Sequence, residues 1–189
     1  MFDEFSGKLI EKIKKDTVIG DPTDTKVNLG PLALDRQLTL LKSQVEQAKL
    51  DGAEILHGSL NFKMPGEMST GNFFEPIVTH GIRFDSPSYE VEFFGPVFNL
   101  YKLRTSKEIL DLANKSNYGL AGTVFTKDLE RAKDYSVRLR VGSVTINDIQ
   151  VTYSELPSGG IKNSGYGREC YSDGLLEIAN RKCIVNQNW

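Results

Sequence analysis

The densest chemistry-bearing stretch is Leu156–Glu169, LPSGGIKNSGYGRE. Gly159, Gly160, Gly165 and Gly167 fall within nine residues there and enclose Lys162, Asn163 and Ser164. Glycine at this density serves backbone that turns through positive φ or comes close to another group. Two readings stand side by side: a rigid connector, and a shaped loop that lines a ligand site. A phosphate loop fits poorly, because no Gly-Lys-Ser/Thr closes the run and its spacing departs from the dinucleotide fingerprint. Glu92 directly precedes Phe93, Phe94, Gly95 and Pro96. A carboxylate in that setting could grip vicinal hydroxyls, as acidic residues do to ribose, or be an ordinary solvated loop residue. Cys170 follows Arg168 and Glu169, and nearby positive charge would favour its thiolate. The plainer reading is a half-buried inert thiol, and Cys183 reads as core or interface. His57 and His80 stand among polar or loop-like neighbours and read as surface residues. The sequence has no Gly-x-Ser-x-Gly elbow, no His-Glu-x-x-His, no local Ser/His/Asp grouping and no zinc-spaced His/Cys cluster, so no metal site is expected.

The elements that must position these residues follow from periodicity. Phe2, Phe5, Leu9, Ile10 and Ile13 recur at helical spacing and predict a helix over Phe2–Lys15. A turn-rich connector, Asp16–Leu29, leads to a long amphipathic helix over Pro31–Asp51, with Leu38, Leu41, Val45 and Ala48 in one stripe and Gly52 as its stop. Ala53–His57 reads as a short strand and Gly58–Gly71 as a polar loop. Phe73–Val78 is strand-like, with Pro76 marking an edge or an end. After a Gly-Pro break, Phe93–Leu103 continues as a buried strand. Ser106 is the expected cap of a helix over Lys107–Lys115. Strand Leu120–Phe125, helix Leu129–Arg140, strand Val141–Ile146, helix Asp173–Asn180 and a last strand Cys183–Asn186 complete the chain. This alternation predicts an α/β fold with a mostly parallel twisted sheet and flanking helices. In such sheets ligands gather beyond the carboxyl ends of strands, where the glycine loop lies.

Composition narrows the function classes. The 189 residues suit one domain, or one with an appendage, and 39% hydrophobic with 25% charged residues is ordinary for a globular chain. A net charge of −2 supplies neither a field for nucleic acid nor a polybasic face for a membrane. No run reaches the length of a membrane span, and the opening MFDEFSGKL lacks a signal peptide's apolar core. Two cysteines make no disulfide framework, and the expected compartment is the cytoplasm.

Glu92–Val97 (EFFGPV) and Pro157–Glu169 (PSGGIKNSGYGRE), in this order and at this distance, resemble the NAD(P)-dependent aldehyde dehydrogenase superfamily. Ile19–Leu32, Gly71–Val78, Leu112–Asp128 and Gly142–Asn147 agree with it, so the resemblance runs from Phe2 to the tail. Within the superfamily the text is most similar to bacterial succinate-semialdehyde dehydrogenases.

The resemblance implies that residues 1–181 are the C-terminal part of the catalytic domain and that 182–189 form an oligomerisation strand. It implies a cysteine nucleophile, a glutamate general base and a nucleotide-binding domain, all mapping upstream of Met1; no residue of this chain matches either catalytic group. It implies NAD or NADP as cofactor, with Glu92 on the nicotinamide-ribose hydroxyls and Phe94 packed near the nicotinamide. A carboxylate suits a ribose because it accepts from two vicinal hydroxyls at once. The glycine loop would shape the aldehyde pocket. The family's Pro-Phe-Gly-Gly is Pro-Ser-Gly-Gly here, so Ser158 would leave that wall wider and wetter. Thr152 and Ser154 could bond a carboxylated aldehyde, or simply face water. The expectations are thus a fragment of an aldehyde-oxidising enzyme, inactive and binding NAD(P) only loosely on its own, that acts on a small aldehyde such as succinate semialdehyde. A homo-oligomer is expected, with no nucleic-acid or membrane partner. The alternative is a non-catalytic oligomerisation module of the same descent.

Overall fold

The computed structural model describes residues 1–187, which divide into two compact units, Met1–Leu103 and the chain from Arg104 onward. Each is α/β.

The first unit opens with α1 (Phe2–Asp16), whose acidic first turn (Asp3, Glu4) and basic last turn (Lys14, Lys15) match the helix dipole. The connector that follows is tied back to α1 by Asn28, whose amide donates to Asp16 O at 2.6 Å and accepts from Val18 N at 2.8 Å. Helix α2 (Asp35–Leu50) begins four residues later than the pattern predicts, because Leu34 is still extended backbone. Strands β1 (Glu54–His57), β2 (Ile77–His80) and β3 (Val97–Leu100) form one sheet in the order β1-β2-β3. The β1–β2 pairing is antiparallel with an irregularity after Ile55, and β2–β3 is parallel with Ile77 opposite Val97. The core lies between α2 and this sheet: Leu41 and Val45 meet Phe74 and Ile77, with Leu38, Ile55, Phe93 and Val97 packed around them. A short helix, α3 (Pro87–Glu90), is anchored to the end of α2 through Asp51, whose carboxylate accepts from the Ser88 hydroxyl at 2.6 Å and the Ser88 N–H at 3.2 Å. Its carboxyl is held below the ordinary Asp range, first by the Ser88 hydroxyl.

The second unit begins with α4 (Ser106–Lys115), capped by Thr105 rather than Ser106. Glu108 N donates to Thr105 Oγ1, and the Glu108 carboxylate accepts from Thr105 N, a reciprocal capping box. Strands β4 (Tyr118–Gly119) and β5 (Ala121–Val124) follow, then α5 (Leu129–Arg138), β6 (Ser143–Ile146), β7 (Ile161–Lys162) and α6 (Tyr171–Glu177). β5 and β6 pair in parallel across α5, a βαβ unit with Asp128 capping the crossover helix through Arg131 N. β4 and β7 pair antiparallel over two residues.

The α/β class thus agrees with the sequence, while the hydrogen-bonded pattern is finer than one mostly parallel sheet. The described residues form three small sheets with four strand pairings, two parallel and two antiparallel. The expected strand Cys183–Asn186 is not a strand in the described residues, and Ile184 and Val185 stand 83% and 77% exposed. β-prone residues form a strand only where a partner edge accepts their backbone groups. Of the expected 182–189 strand, Asn188 and Trp189 lie outside the described residues.

Candidate functional site

Glu92 and Phe94 belong to the first unit, and their presentation is built by α2 and the core. Glu92 is exposed, Phe93 half-buried and Phe94 69% exposed, so the segment alternates out, in, out just before β3. Phe93 anchors it, packing against the α2–sheet core and against a second cluster of Ala48, Ala53 and Ile82, where Tyr89 and Tyr101 also sit. That second cluster is dry enough that burial pushes the Tyr101 phenol up to about 12. Gly95 lies hard against α2: a Cβ there would stand 2.3 Å from Leu41 Cδ2, so a larger residue would have to displace the Leu41 side chain. Val97 N donates to Gly95 O, and Ile77 N to Pro96 O at 2.9 Å, which joins the segment to the sheet.

An exposed carboxylate beside an exposed flat ring, on a backbone fixed by packing, fits the nicotinamide-riboside half of a dinucleotide. The carboxylate can accept from two hydroxyls and the ring can stack on a planar heterocycle. The chemistry such a cofactor supplies when bound is hydride acceptance.

Ser158 belongs to the second unit, where it lines an open hollow of about 410 Å³ together with Tyr166, Arg168, Glu169 and Glu177. The glycine loop is shaped by backbone contacts. Ser158 and Glu169 form an antiparallel bridge, with N–H···O bonds of 2.9 and 2.7 Å. Arg168 Nη1 donates to Gly160 O at 2.9 Å and to Gly167 O at 2.6 Å, bracing the loop across its mouth. Lys162, with φ +57, sends its amine to the carbonyls of Asn114 and Ser116 at the end of α4. Ser164 Oγ accepts from Gly119 N at 3.0 Å. At its base the loop rests on Gly142, where a Cβ would fall 1.7 Å from Gly159 O.

Thr152 lies on the exposed 147–157 loop and does not line the hollow. Ser154 on the same loop accepts from Tyr171 N at 3.0 Å through its carbonyl. Cys170 is half-buried at φ +62, Cys183 is exposed, and neither lines the hollow. Both histidines depart from the expected surface placement. They are half-buried, and His80 meets Leu100 O through Nδ1 at 3.0 Å while its ring lies 4.6 Å from that of Phe2. The start of α1 covers His80, a long-range contact that its polar neighbours in sequence do not reveal. Two site-shaping groups escaped the sequence reading: Arg168 as a loop brace, and the glutamines Gln37 and Gln44 beside the Glu92 segment. The available signal was polarity along one edge of the buried stripe of α2.

Among the described residues, no three His, Cys, Asp or Glu side chains gather as metal ligands, and no helix is long and apolar enough to cross a membrane.

The family model for the aldehyde dehydrogenase family matches residues 1–184. A curated NADP(+) succinate-semialdehyde dehydrogenase from Deinococcus radiodurans is 39% identical over 184 residues, covering 97% of this chain and 37% of that protein. One from Mycobacterium ulcerans is 35% identical, covering 97% of this chain and 39% of that protein. The chain therefore spans less than half the length of these curated relatives. Among solved structures, betaine aldehyde dehydrogenase from Staphylococcus aureus in complex with NAD+ superimposes with a TM-score of 0.84 at 36% identity, over 93% of this chain and 34% of that one. Gox0499, studied for its cofactor and substrate selection, gives a TM-score of 0.88 at 35% identity, over 98% of this chain and 40% of that one. A family match from the first residue to the tail, on an α/β fold shared with these solved structures, leads to one conclusion: the chain belongs to the aldehyde dehydrogenase family.

Proposed function

We propose that this chain is the C-terminal catalytic part of an enzyme that oxidises a small aldehyde, succinate semialdehyde first among candidates, to its carboxylic acid with NADP or NAD. In this reading Glu92 holds the nicotinamide-ribose hydroxyls and Phe94 packs by the nicotinamide. The glycine loop, with Ser158 in its wall, borders the aldehyde. The support for the substrate is the naming of the curated relatives, and the support for the cofactor face is the paired outward carboxylate and ring.

The chain alone is expected not to turn over. The observation that carries this is the placement of its thiols: neither Cys170 nor Cys183 lines the hollow bordered by Ser158, so the described residues offer no thiol nucleophile there. The test is NAD(P)H formation by the purified 189-residue chain with succinate semialdehyde and a panel of other aldehydes, beside a cysteine-alkylated control. The expected result is no aldehyde-dependent reduction. Turnover abolished by alkylation would make Cys170 or Cys183 a nucleophile and overturn the assignment.

We propose a further role in self-association, supported by the exposure of Ile184 and Val185. Ile184 and Val185 offer β-prone apolar side chains with no ladder partner among the described residues. Size exclusion with and without residues 182–189 tests it: a smaller species on deletion supports a homo-oligomer, and an unchanged monomer removes the idea.

A further inference from the structure

Helix α2 turns Leu38, Leu41, Val45 and Ala48 toward the core, and along one edge of that face stand two half-buried amides, Gln37 and Gln44. A half-buried amide on a packed face requires partners. Gln37 Nε2 donates to Phe94 O at 2.8 Å, and Gln44 Nε2 donates to Glu92 O at 3.3 Å. Seven residues apart, the two amides lie about two helical turns from each other on one side of the helix. Between their targets, Phe93 is packed against the same helix, and the next residue, Gly95, touches Leu41. One helix therefore grips the segment by an amide at Glu92, a ring at Phe93, an amide at Phe94 and close approach at Gly95.

We propose that Gln37 and Gln44 are positioning residues: α2 uses them to hold the Glu92–Phe94 backbone so that the carboxylate and the ring face the nicotinamide-ribose half of the cofactor together. The inference rests on the cofactor reading of Glu92 and Phe94 given above. Glu92 and Phe94 themselves are exposed and lie outside any helix or strand, with only a tight Gly95 N–H···O Phe93 bond of 2.8 Å inside the segment. Left to itself, such a segment would be ordered only on binding, at the expense of affinity. Bonds to the two carbonyls fix the backbone while leaving both side chains free for a ligand. The amides touch no cofactor atom in this role; they act through Glu92 and Phe94.

The test titrates nicotinamide mononucleotide into the full chain and follows backbone amide signals by NMR, with hydrogen exchange of the Phe93–Gly95 amides measured on the same samples. The variants are Q37E/Q44E, which keeps shape and removes both donors, and Q37M/Q44M, which keeps volume should the charged pair fail to fold. The expected result is saturable shifts at Glu92–Gly95 in the parent chain and an apparent affinity at least about tenfold weaker in the variants, the scale of one or two lost hydrogen bonds. Exchange at Phe93–Gly95 rises while the β2–β3 ladder stays protected, a pattern that general destabilisation would not give. A parent and a variant that bind the mononucleotide equally would overturn the inference and leave the cofactor reading standing. A parent chain that shows no shifts at all would overturn the cofactor reading, and this inference with it.

Discussion

The two units hold their candidate ligand residues by opposite means. In Met1–Leu103, Glu92 and Phe94 stand on packing: Leu41, Val45, Phe74 and Ile77 form a buried cluster, and Phe93 plugs the segment into that core. In the unit from Arg104, the buried apolar side chains among the described residues are Leu110, Val124 and Ala132, and Ser158 stands on backbone. Its loop is held by a two-bond bridge to Glu169, by the Arg168 guanidinium and by the seat on Gly142. Packing yields gradually when atoms are removed, because neighbours relax into the space. A seat made by backbone touching backbone has nothing soft to yield, so its failure is abrupt.

Gly142→Ala is the sharpest way to break the comparison. A Cβ placed 1.7 Å from Gly159 O has no room, and Leu120 O stands 3.0 Å away on another side. Urea unfolding is expected to show a loss above about 3 kcal/mol, the exceptional end of single substitutions. Gly122→Ala is the companion: its Cβ would meet only the Leu139 and Val141 side chains at ordinary 3.6 Å contact, so a shift within about 1 kcal/mol is expected. Similar losses for the two would remove the distinction between a backbone seat and soft packing.

Leu41→Ala comes next, in the first unit. Leu41 is 1% exposed, and its truncation leaves a cavity under Gly95, for an expected loss of about 2–4 kcal/mol by urea unfolding. The fold of the unit should survive, because the rest of the α2–sheet core remains. A loss below about 1 kcal/mol would show that the core re-forms around the gap.

The smallest effect is expected at Ser88→Ala, and pH reveals it. The Asp51 carboxyl is held below its ordinary range chiefly by the Ser88 hydroxyl, with burial opposing and Gln47 assisting. A depressed folded value contributes stability that is complete above the unfolded Asp range and disappears as pH falls through the folded value. The variant should therefore be less stable than the parent at neutral pH, by less than Leu41→Ala, and the two unfolding midpoints should converge in acid. A constant gap across pH would show that the hydroxyl stabilises by packing alone.

Much of the helical structure was legible because its signal is local. The 3.6-residue repeat of Phe2, Phe5, Leu9 and Ile13 places α1 almost to the residue, and the Leu38–Ala48 stripe finds the buried face of α2. The cap of α4 was misread by one position, since Thr105 with Glu108 three residues later is the reciprocal pair and Ser106 has no such partner. Strand pairing was less legible. β4 and β7 are two residues each and exist only because they meet, and Ile184 and Val185 are β-prone yet belong to no strand among the described residues. Of the candidate site residues, Glu92, Phe94 and Ser158 were singled out through motif resemblance, and their exposure and surroundings were not legible. The outward turn of Glu92 and Phe94 depends on Phe93 choosing the core, and the Ser158 hollow depends on bonds from Arg168 that no spacing rule states.

The short β4–β7 pairing also bears on how the walls around Ser158 open. Between Tyr118–Gly119 and their partners Ile161–Lys162 lie β5, α5, β6 and the 147–157 loop, so the pairing closes a long stretch of chain. Closing that long a loop is entropically unfavourable, and two paired residues return little for it. The walls around Ser158 thus assemble late and open early, with the Lys162 amine and the Ser164 hydroxyl as the latches. Any small molecule that fills the hollow acts on this step, drawing the closing equilibrium toward the native side by mass action.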